Sequence, residues 1–125
     1  MDTEVKPITI NGVEYVKKDE AESEKMAEKV EGMDYIMCRT YSAGVFAGYL
    51  EKRDGKEVVL RKARRIWYWS GAASLSQLSI DGTNQPDKCQ FPEAVDKVIL
   101  TEVIEIIPCT EKARKSIQAV KIWKN

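Results

Sequence analysis

The chain has 125 residues, of which 43% are hydrophobic and 32% are charged, a balance that predicts one folded domain and excludes a disordered chain. It holds three cysteines and no histidine, which argues against a disulfide framework, a zinc site and the nucleophile–histidine pairs of hydrolases. Nine acids and five bases fall in residues 1–33, and eleven acids and fifteen bases in residues 34–125. The mildly basic body suits an anionic ligand and is far from the basic patch of a duplex-DNA binder.

The N-terminal part predicts a hairpin followed by a helix. Asn11-Gly12 separates two alternating runs, which favours strands at 7–10 and 13–17. Residues 19–31 are rich in Glu, Lys and Ala and carry only a narrow apolar stripe. We predict a peripheral helix or a linker there, ended by Gly32.

The composition changes near residue 33, where we place a domain boundary. Residues 1–33 form an N-terminal appendage, and residues 34–125 form the core ligand-binding domain. The core opens with β-rich runs at 34–41 and 45–52, and Asp54-Gly55 favours a hairpin turn after the second run. Such short connections predict an antiparallel meander.

The third run of the meander starts at Val58 and loses its period between Arg61 and Arg65, which indicates a bulge. Ser74 and Gln77 have the spacing of a capping box for a short helix. The residues that follow this helix, 83–93, have no periodicity and read as a loop.

The last third contains the longest apolar run. We predict a central strand at 98–107, closed by Pro108, and a final helix capped by Thr110. The apolar face of that helix is formed by Ala113, Ile117 and Val120, and Ile122-Trp123 forms a tail that docks on a neighbouring surface.

The predicted fold class is α+β, an antiparallel β-meander sheet with two or three short helices in a small single domain. A chain of this length buries a modest core, which makes a homo-oligomer an expected assembly. No apolar run reaches the length of a membrane helix, and no basic-then-apolar signal opens the chain, so the expected compartment is the cytoplasm.

A first candidate site is the string from Arg39 to Gly44, which contains Thr40, Tyr41 and Ser42. Bends with Ser and Gly expose backbone amides that accept an anion, and Arg39 could add a bidentate contact to a phosphate. A plain hairpin turn with a surface arginine explains the string equally well, because no phosphate-loop spacing is present.

A second candidate site is the run in which the cations Arg61, Lys62, Arg64 and Arg65 come directly before the aromatic residues Trp67, Tyr68 and Trp69. Arginines bind phosphate oxygens while indole faces stack on bases, a combination used for nucleotides and single strands. The alternative places both tryptophans in the core with the cations solvated, and burial of large aromatics favours it.

Three further features have weaker signals. Glu102 and Glu105 could act as an acid–base pair, although a solvated face explains them better. Cys38 precedes a cation that could lower its thiol pKa, yet a buried, inert cysteine is the simpler interpretation. Arg114 on the final helix either completes a pocket or favours the C-terminal half of that helix.

Five strings resemble a small phage and prophage family of unknown function. They are Arg-Thr-Tyr-Ser-Ala-Gly-Val at 39–45, Asp-Gly-Lys-Glu-Val at 54–58, Ala-Arg-Arg-Ile-Trp-Tyr-Trp at 63–69, Gly-Ala-Ala-Ser-Leu at 71–75 and Glu-Ile-Ile-Pro-Cys at 105–109. The same stretch resembles the first family of Thoeris anti-defence sponges, which sequester cyclic ADP-ribose signals. The resemblance covers about two thirds of the chain and leaves residues 1–33 without an assigned role.

The resemblance implies a non-enzymatic protein that acts in the cytoplasm of an infected bacterium. It would bind glyco-cyclic ADP-ribose isomers, or the cyclic di- and trinucleotides of CBASS-type signalling, without a metal or other cofactor. It would assemble as a homo-oligomer, a dimer or a hexamer, with pockets between subunits. The ligand-binding residues that it implies are Arg39, Thr40, Tyr41, Ser42, Gly44, Arg64, Arg65, Trp67, Trp69 and Arg114.

Other function classes stay open at this point. The chain could be an interaction module that inhibits a host protein, or a minor virion component. It could also bind single-stranded nucleic acid through its basic and aromatic run. An enzyme ranks last, because a general base and metal ligands are lacking.

Overall fold

The computed structural model describes the strands at residues 8–10 and 13–15 and every residue from 25 to 124. In this part of the chain, strands and helices form an α+β fold. The strands are β1 (Ile8–Ile10), β2 (Val13–Tyr15), β3 (Asp34–Thr40), β4 (Val45–Asp54), β5 (Glu57–Arg65), β6 (Val95–Leu100) and β7 (Val103–Pro108). The helices are α1 (Leu75–Asp81) and α2 (Glu111–Ala119), and Pro86–Lys88 form a short 3-10 helix.

The N-terminal predictions are half correct. β1 and β2 pair antiparallel with Ile10 opposite Val13, which confirms the hairpin in its strand residues; the turn and residues 19–24 lie outside the described residues. The helix expected at 19–31 is wrong from residue 25 onwards, where the backbone is not helical. Instead, the Ala27 N–H donates to the Cys109 carbonyl at 3.1 Å, because a narrow apolar stripe gains little by burial as a helix.

Five strands form one antiparallel sheet in the order β6-β5-β4-β3-β7. Thr40 closes the β3–β4 turn: its hydroxyl accepts from the Ala43 N–H and donates to the Gly44 carbonyl, both at 2.8 Å. The β4–β5 turn contains Gly55 at φ +62°, in the left-handed region that favours glycine. The antiparallel meander predicted from these short connections is confirmed.

The apolar run expected as one central strand at 98–107 is two edge strands. Among the described strands, β6 pairs only with β5 and β7 pairs only with β3, and the Thr101-Glu102 link crosses between them. So short a link can join opposite edges only when the sheet curls strongly. Pro108 ends β7, as expected of a residue that lacks a ladder donor.

Two backbone hydrogen bonds show how strongly the sheet curls. The Val103 N–H donates to the carbonyl of Lys56 in the β4–β5 turn at 3.0 Å. The Tyr41 N–H, in the β3–β4 turn, donates to Glu102 at 2.9 Å. The turns at the two ends of β4 therefore meet at the same corner, and the sheet approaches a small barrel.

Apolar side chains are buried on both faces of the curled sheet. The concave side has its own cluster, formed by Ile36, Cys38, Phe46, Val58, Leu60, Ala63, Leu100 and Val103. The other face packs against α1, α2 and the loop before β6, through Tyr35, Met37, Ala47, Tyr49, Leu78, Phe91, Ala113 and Ile117. This second face also forms the walls of the candidate site.

Both helices begin at the predicted caps. Ser74 accepts from the Gln77 N–H at 3.2 Å, and Gly82 follows α1 at φ +73°. Thr110 accepts from the Ala113 N–H at 3.0 Å at the start of α2. The C-terminal tail returns to the same chain, where the Trp123 N–H donates to the Phe91 carbonyl at 2.9 Å.

A bulge interrupts β5, which has one residue more than the facing stretch of β4, as the loss of period predicted. Lys62 lies in this bulge at φ +51°, a backbone conformation that residues other than glycine rarely adopt. Gly48 faces the bulge, and a Cβ there would lie 3.0 Å from both the Ala63 Cα and the Arg61 carbonyl oxygen. Glycine at this position therefore permits the close approach of the two backbones.

Candidate functional site

The first candidate string forms the end of the β3–β4 hairpin. Several of its polar groups make hydrogen bonds within the fold. Arg39 donates from Nε to the Glu105 carboxylate on β7 at 3.0 Å. The backbone N–H of Tyr41 donates to the Glu102 carbonyl, and the backbone N–H of Ala43 donates to the hydroxyl of the buried Thr40. Tyr41, Ser42 and Gly44 are exposed, and Tyr41 keeps 77% of its surface accessible.

The second string divides between two faces of β5. The Arg65 guanidinium donates to the Ala43 carbonyl and lies 4.3 Å from the centre of the Phe46 ring. Trp67 is 63% exposed. Trp69 packs partly against the helix-covered core and donates from its indole to the Ala72 carbonyl at 3.1 Å. The two tryptophans therefore differ, one on the surface and one at the edge of the core.

Arg64 lies on the opposite face and is buried, with 6% of its surface exposed. Its guanidinium donates to the carbonyl oxygens of Pro92 at 2.9 Å, Ile117 at 2.8 Å and Phe91 at 3.1 Å. No carboxylate of the described residues forms an ion pair with it, and burial lowers its pKa. Buried charges in proteins are normally paired, so this cation is an unusual feature.

Arg64 lines a surface pocket with a volume of about 540 Å³, within the range typical of small-molecule sites. The pocket lies between the helix-covered face of the sheet, the C-terminal end of α2 and the segment before β3. Its lining residues are Val30, Tyr35, Tyr49, Lys62, Arg64, Glu93, Ala94, Gln118, Val120 and Ile122. We call it the tyrosine pocket.

Two tyrosines form the inner wall of this pocket. The rings of Tyr35 and Tyr49 meet edge to face with their centres 4.9 Å apart. Only 2% of Tyr35 is exposed, and its hydroxyl makes no hydrogen bond to any described residue. Burial raises the pKa of Tyr35, so the hydroxyl stays protonated and can donate. Buried tyrosine hydroxyls usually have a partner, and a ligand atom in the pocket would supply one.

The bulge in β5 brings cations to the same pocket. Lys62, at its positive φ, lines the pocket together with Arg64, and Glu93 is the acidic residue among the lining side chains. Two cations against one carboxylate give the pocket a net positive charge. The arrangement suits an anion that also offers a flat or apolar surface to the tyrosines.

The sequence-predicted residues are not gathered at one place. Arg64 lines the tyrosine pocket, while Arg39, Thr40, Tyr41, Ser42, Gly44, Arg65 and Trp67 cluster at or beside the hairpin end and Trp69 lies at the core edge. Arg114 binds the Glu111 carboxylate and the Gln118 side chain on α2.

Sequence reasoning missed Tyr35, Tyr49 and Gln118 as site residues, and it named Lys62 in the cationic run without including it among the binding residues. The bulge signal between Arg61 and Arg65 was the one local sign, because bulges often accompany functional sites. Among the described residues, no group of acidic or cysteine side chains is arranged to hold a metal ion. No helix in the described part of the chain is long and apolar enough to cross a membrane.

Comparison with known proteins yields one family. No match was found among curated proteins, and none was found among solved structures. A family model described as a domain of unknown function, DUF6948, matches residues 33–117, which is more than half of the chain. The match contains β3 to β7, α1 and most of α2. The chain therefore belongs to the DUF6948 family of domains of unknown function.

Proposed function

We propose that this protein is a phage anti-defence sponge that binds a cyclic nucleotide immune signal in the tyrosine pocket and holds it without cleaving it. The observation that supports the proposal most is the buried Arg64 guanidinium, which has no carboxylate partner in the described part of the chain and lines a pocket of nucleotide size. A phosphate would supply the missing negative charge.

The other pocket groups fit the same class of ligand. Lys62 adds a second cation at the bulge, and the protonated Tyr35 hydroxyl offers a donor from the inner wall. The rings of Tyr35 and Tyr49 provide flat apolar surface for a base or a ribose. A cyclic ADP-ribose isomer or a cyclic di- or trinucleotide combines phosphates with flat bases in the required way.

Sequestration requires affinity and no turnover. The tyrosine pocket offers cations, phenols and an amide, and its one carboxylate, Glu93, is exposed. The cations and N–H donors match the charge and the acceptor oxygens of an anion, which supports a binding role. In this proposal the protein works in the cytoplasm of an infected bacterium, as a homo-oligomer and without a cofactor.

The test is a calorimetric titration with cyclic ADP-ribose, its glyco-isomers, cyclic di-AMP and cyclic tri-AMP. The complex is then heated, and the released ligand is examined by chromatography. We expect one ligand to bind tightly and to be recovered intact. Recovery of a cleaved ligand would contradict sequestration, and no binding across the panel would contradict the function as a whole.

Variants locate the site. Lys62→Ala and Tyr35→Phe should each weaken binding at least about 5-fold, as loss of a hydrogen bond to a charged group predicts. Lys52→Ala, which removes an exposed cation from β4 outside the pocket, is the matched control and should bind as wild type. Weakening by Arg65→Ala and Trp67→Ala, with Lys62→Ala unchanged, would move the site to the hairpin end.

A second candidate function is supported by the exposed aromatics at and near the hairpin end. Tyr41 and Trp67 are 77% and 63% exposed, and such side chains often anchor protein interfaces. An interaction module that inhibits a host protein would use them. Capture of one stoichiometric host protein by the wild type, lost in Tyr41→Ala and Trp67→Ala, would favour this function. Salt-dependent binding to oligonucleotides would instead favour a single-strand binder.

A further inference from the structure

A chain of side-chain contacts runs along α2 to the mouth of the tyrosine pocket. Arg114 binds Glu111 through Nε and Nη2, with Nε 3.2 Å from the Glu111 Oε1. Its remaining terminal nitrogen, Nη1, donates to the Gln118 Oε1 at 2.7 Å. Gln118 Nε2 then lies 3.5 Å from the Tyr49 hydroxyl. The chain therefore begins at an ion pair and ends at two residues that line the pocket.

The chemistry of arginine fixes the orientation of the Gln118 amide. A guanidinium has five N–H donors and no acceptor, so the Gln118 atom that faces Arg114 at 2.7 Å is the carbonyl oxygen. The NH2 group is then on the other side, toward Tyr49 and the pocket. At 3.5 Å its contact with Tyr49 is long for a hydrogen bond, which leaves an amide hydrogen available to a ligand.

With the amide held in this way, nearly every polar group at the pocket is a donor. Lys62 and Arg64 donate only, Gln118 presents N–H groups, and the Tyr35 hydroxyl has no acceptor among the described residues. The two tyrosine hydroxyls can also accept, and the carboxylate of Glu93, which accepts only, is exposed.

We infer that Arg114 is a positioning residue that turns the Gln118 amide so that the pocket selects acceptor-rich ligand edges, such as phosphate oxygens or ring carbonyls. This inference rests on the proposed function for its ligand and adds the basis of selectivity. A freely rotating amide would accept amino edges as readily as acceptor edges. Arg114 removes that freedom without touching the ligand.

The orientation itself is testable in the ligand-free protein by NMR of the 15N-labelled side-chain amides, with the Gln118 signals assigned from Gln118→Leu. In the wild type we expect the shifts of the two amide protons of Gln118 to differ from those of a free glutamine. Arg114→Leu should collapse them toward the values of a free glutamine. Lys115→Leu, which removes the next cation of α2, is the control and should leave them unchanged. Unchanged signals in Arg114→Leu would overturn the inference.

The selectivity is tested by a double-mutant cycle with the probe of the cyclic nucleotide panel that wild type binds most tightly. Arg114→Leu and Gln118→Leu should each weaken binding about 3- to 10-fold, as expected for one hydrogen bond, and the double variant should bind no more weakly than the weaker single variant. Gln118→Glu, which presents an acceptor, should bind more weakly than Gln118→Leu.

The outcomes separate the two proposals. Binding by the wild type with additive losses in the cycle would overturn the positioning role of Arg114 and leave the proposed function standing. Tighter binding by Gln118→Glu would overturn the selectivity for acceptor edges. A wild type that binds no member of the panel would overturn the proposed function and the ligand selectivity with it, while the NMR result would still decide the orientation of the amide.

Discussion

Arg64 donates from Nη1 to the carbonyl oxygen of Ile117 at 2.8 Å and so joins β5 to the last turn of α2. The carbonyl oxygens at the C-terminal end of a helix carry partial negative charge, which favours a cation there. The same guanidinium holds the loop before β6 through Phe91 and Pro92. One side chain thus connects three segments of the pocket wall, while its charge forms no ion pair with a carboxylate of the described residues.

Replacement of Arg64 by Leu should destabilise the fold by about 2–4 kcal/mol, because three carbonyl oxygens lose a charged donor. The carbonyls of Phe91 and Ile117 keep the N–H groups of Trp123 and Val120 as donors, and the carbonyl of Pro92 is partly exposed. Arg65→Leu is the matched control: the side chain is exposed, and its loss should cost about 1 kcal/mol or less. Urea denaturation of both variants measures the difference. Equal losses would show that the carbonyl contacts of Arg64 are not structural.

The bulge predicts opposite effects at two positions. Gly48→Ala should destabilise the protein by about 1–3 kcal/mol, since the new Cβ would lie 3.0 Å from backbone atoms of β5. Lys62→Gly should be neutral or stabilise by up to about 1 kcal/mol, because glycine adopts a φ of +51° without strain. Thermal denaturation of the two variants tests both, and a stable Gly48→Ala would contradict the close approach.

Glu111 predicts an acid-dependent loss of stability. The hydrogen bond from Arg114 lowers the pKa of this carboxyl to about 2, with a smaller contribution from the Glu28 N–H. Because the folded pKa lies below the unfolded value, the contribution is full above about pH 5 and is lost as the pH falls toward 2. Urea midpoints from pH 7 to pH 2 should fall less steeply in Glu111→Gln than in wild type. Parallel curves would contradict the assignment.

Two cysteines should resist thiol reagents in the native protein. Burial raises the pKa of both Cys38 and Cys109 to about 12, so neither forms an appreciable thiolate at pH 8. We expect labelling of these two residues by iodoacetamide at pH 8 to require urea, as followed by peptide mass spectrometry. Rapid native labelling of Cys38 would show that the concave side of the sheet opens readily.

Local signals predicted much of the fold. Asp54-Gly55, Ser74 with Gln77, and Thr110 act within a few residues, so the turn and both caps could be placed from the sequence. Of the helix or linker expected at 19–31, the helix was wrong from residue 25 onwards. Lys25 and Ala27 make backbone hydrogen bonds with Glu111 and Cys109, and the Glu28 N–H donates to the Glu111 carboxylate, contacts that no local pattern reveals. The prediction of one strand at 98–107 was wrong because the run divides into β6 and β7, which pair with two distant strands, β5 and β3.

The site was less accessible to sequence reasoning. The run from Arg64 to Trp69 was predicted as a site because it combines cations with aromatic side chains. The alternation of β5, however, places Arg64 and Arg65 on opposite faces of the sheet. Tyr35 and Gln118 are more than eighty residues apart along the chain, and both line the tyrosine pocket in the folded structure. The residues next to them in the sequence form no pattern that indicates a shared pocket.

The long excursion between β5 and β6 leaves and rejoins adjacent strands, since Ala63 pairs with Val95. A chain segment with neighbouring ends can change in length and sequence while the strands that flank it keep their partners. Glu93 and Ala94, at the end of this excursion, form one wall of the tyrosine pocket, whereas Tyr35, Tyr49 and Arg64 belong to the sheet. Substitutions at Glu93 and Ala94 would therefore alter one wall of the pocket, while the strands that hold Tyr35, Tyr49 and Arg64 keep their pairing.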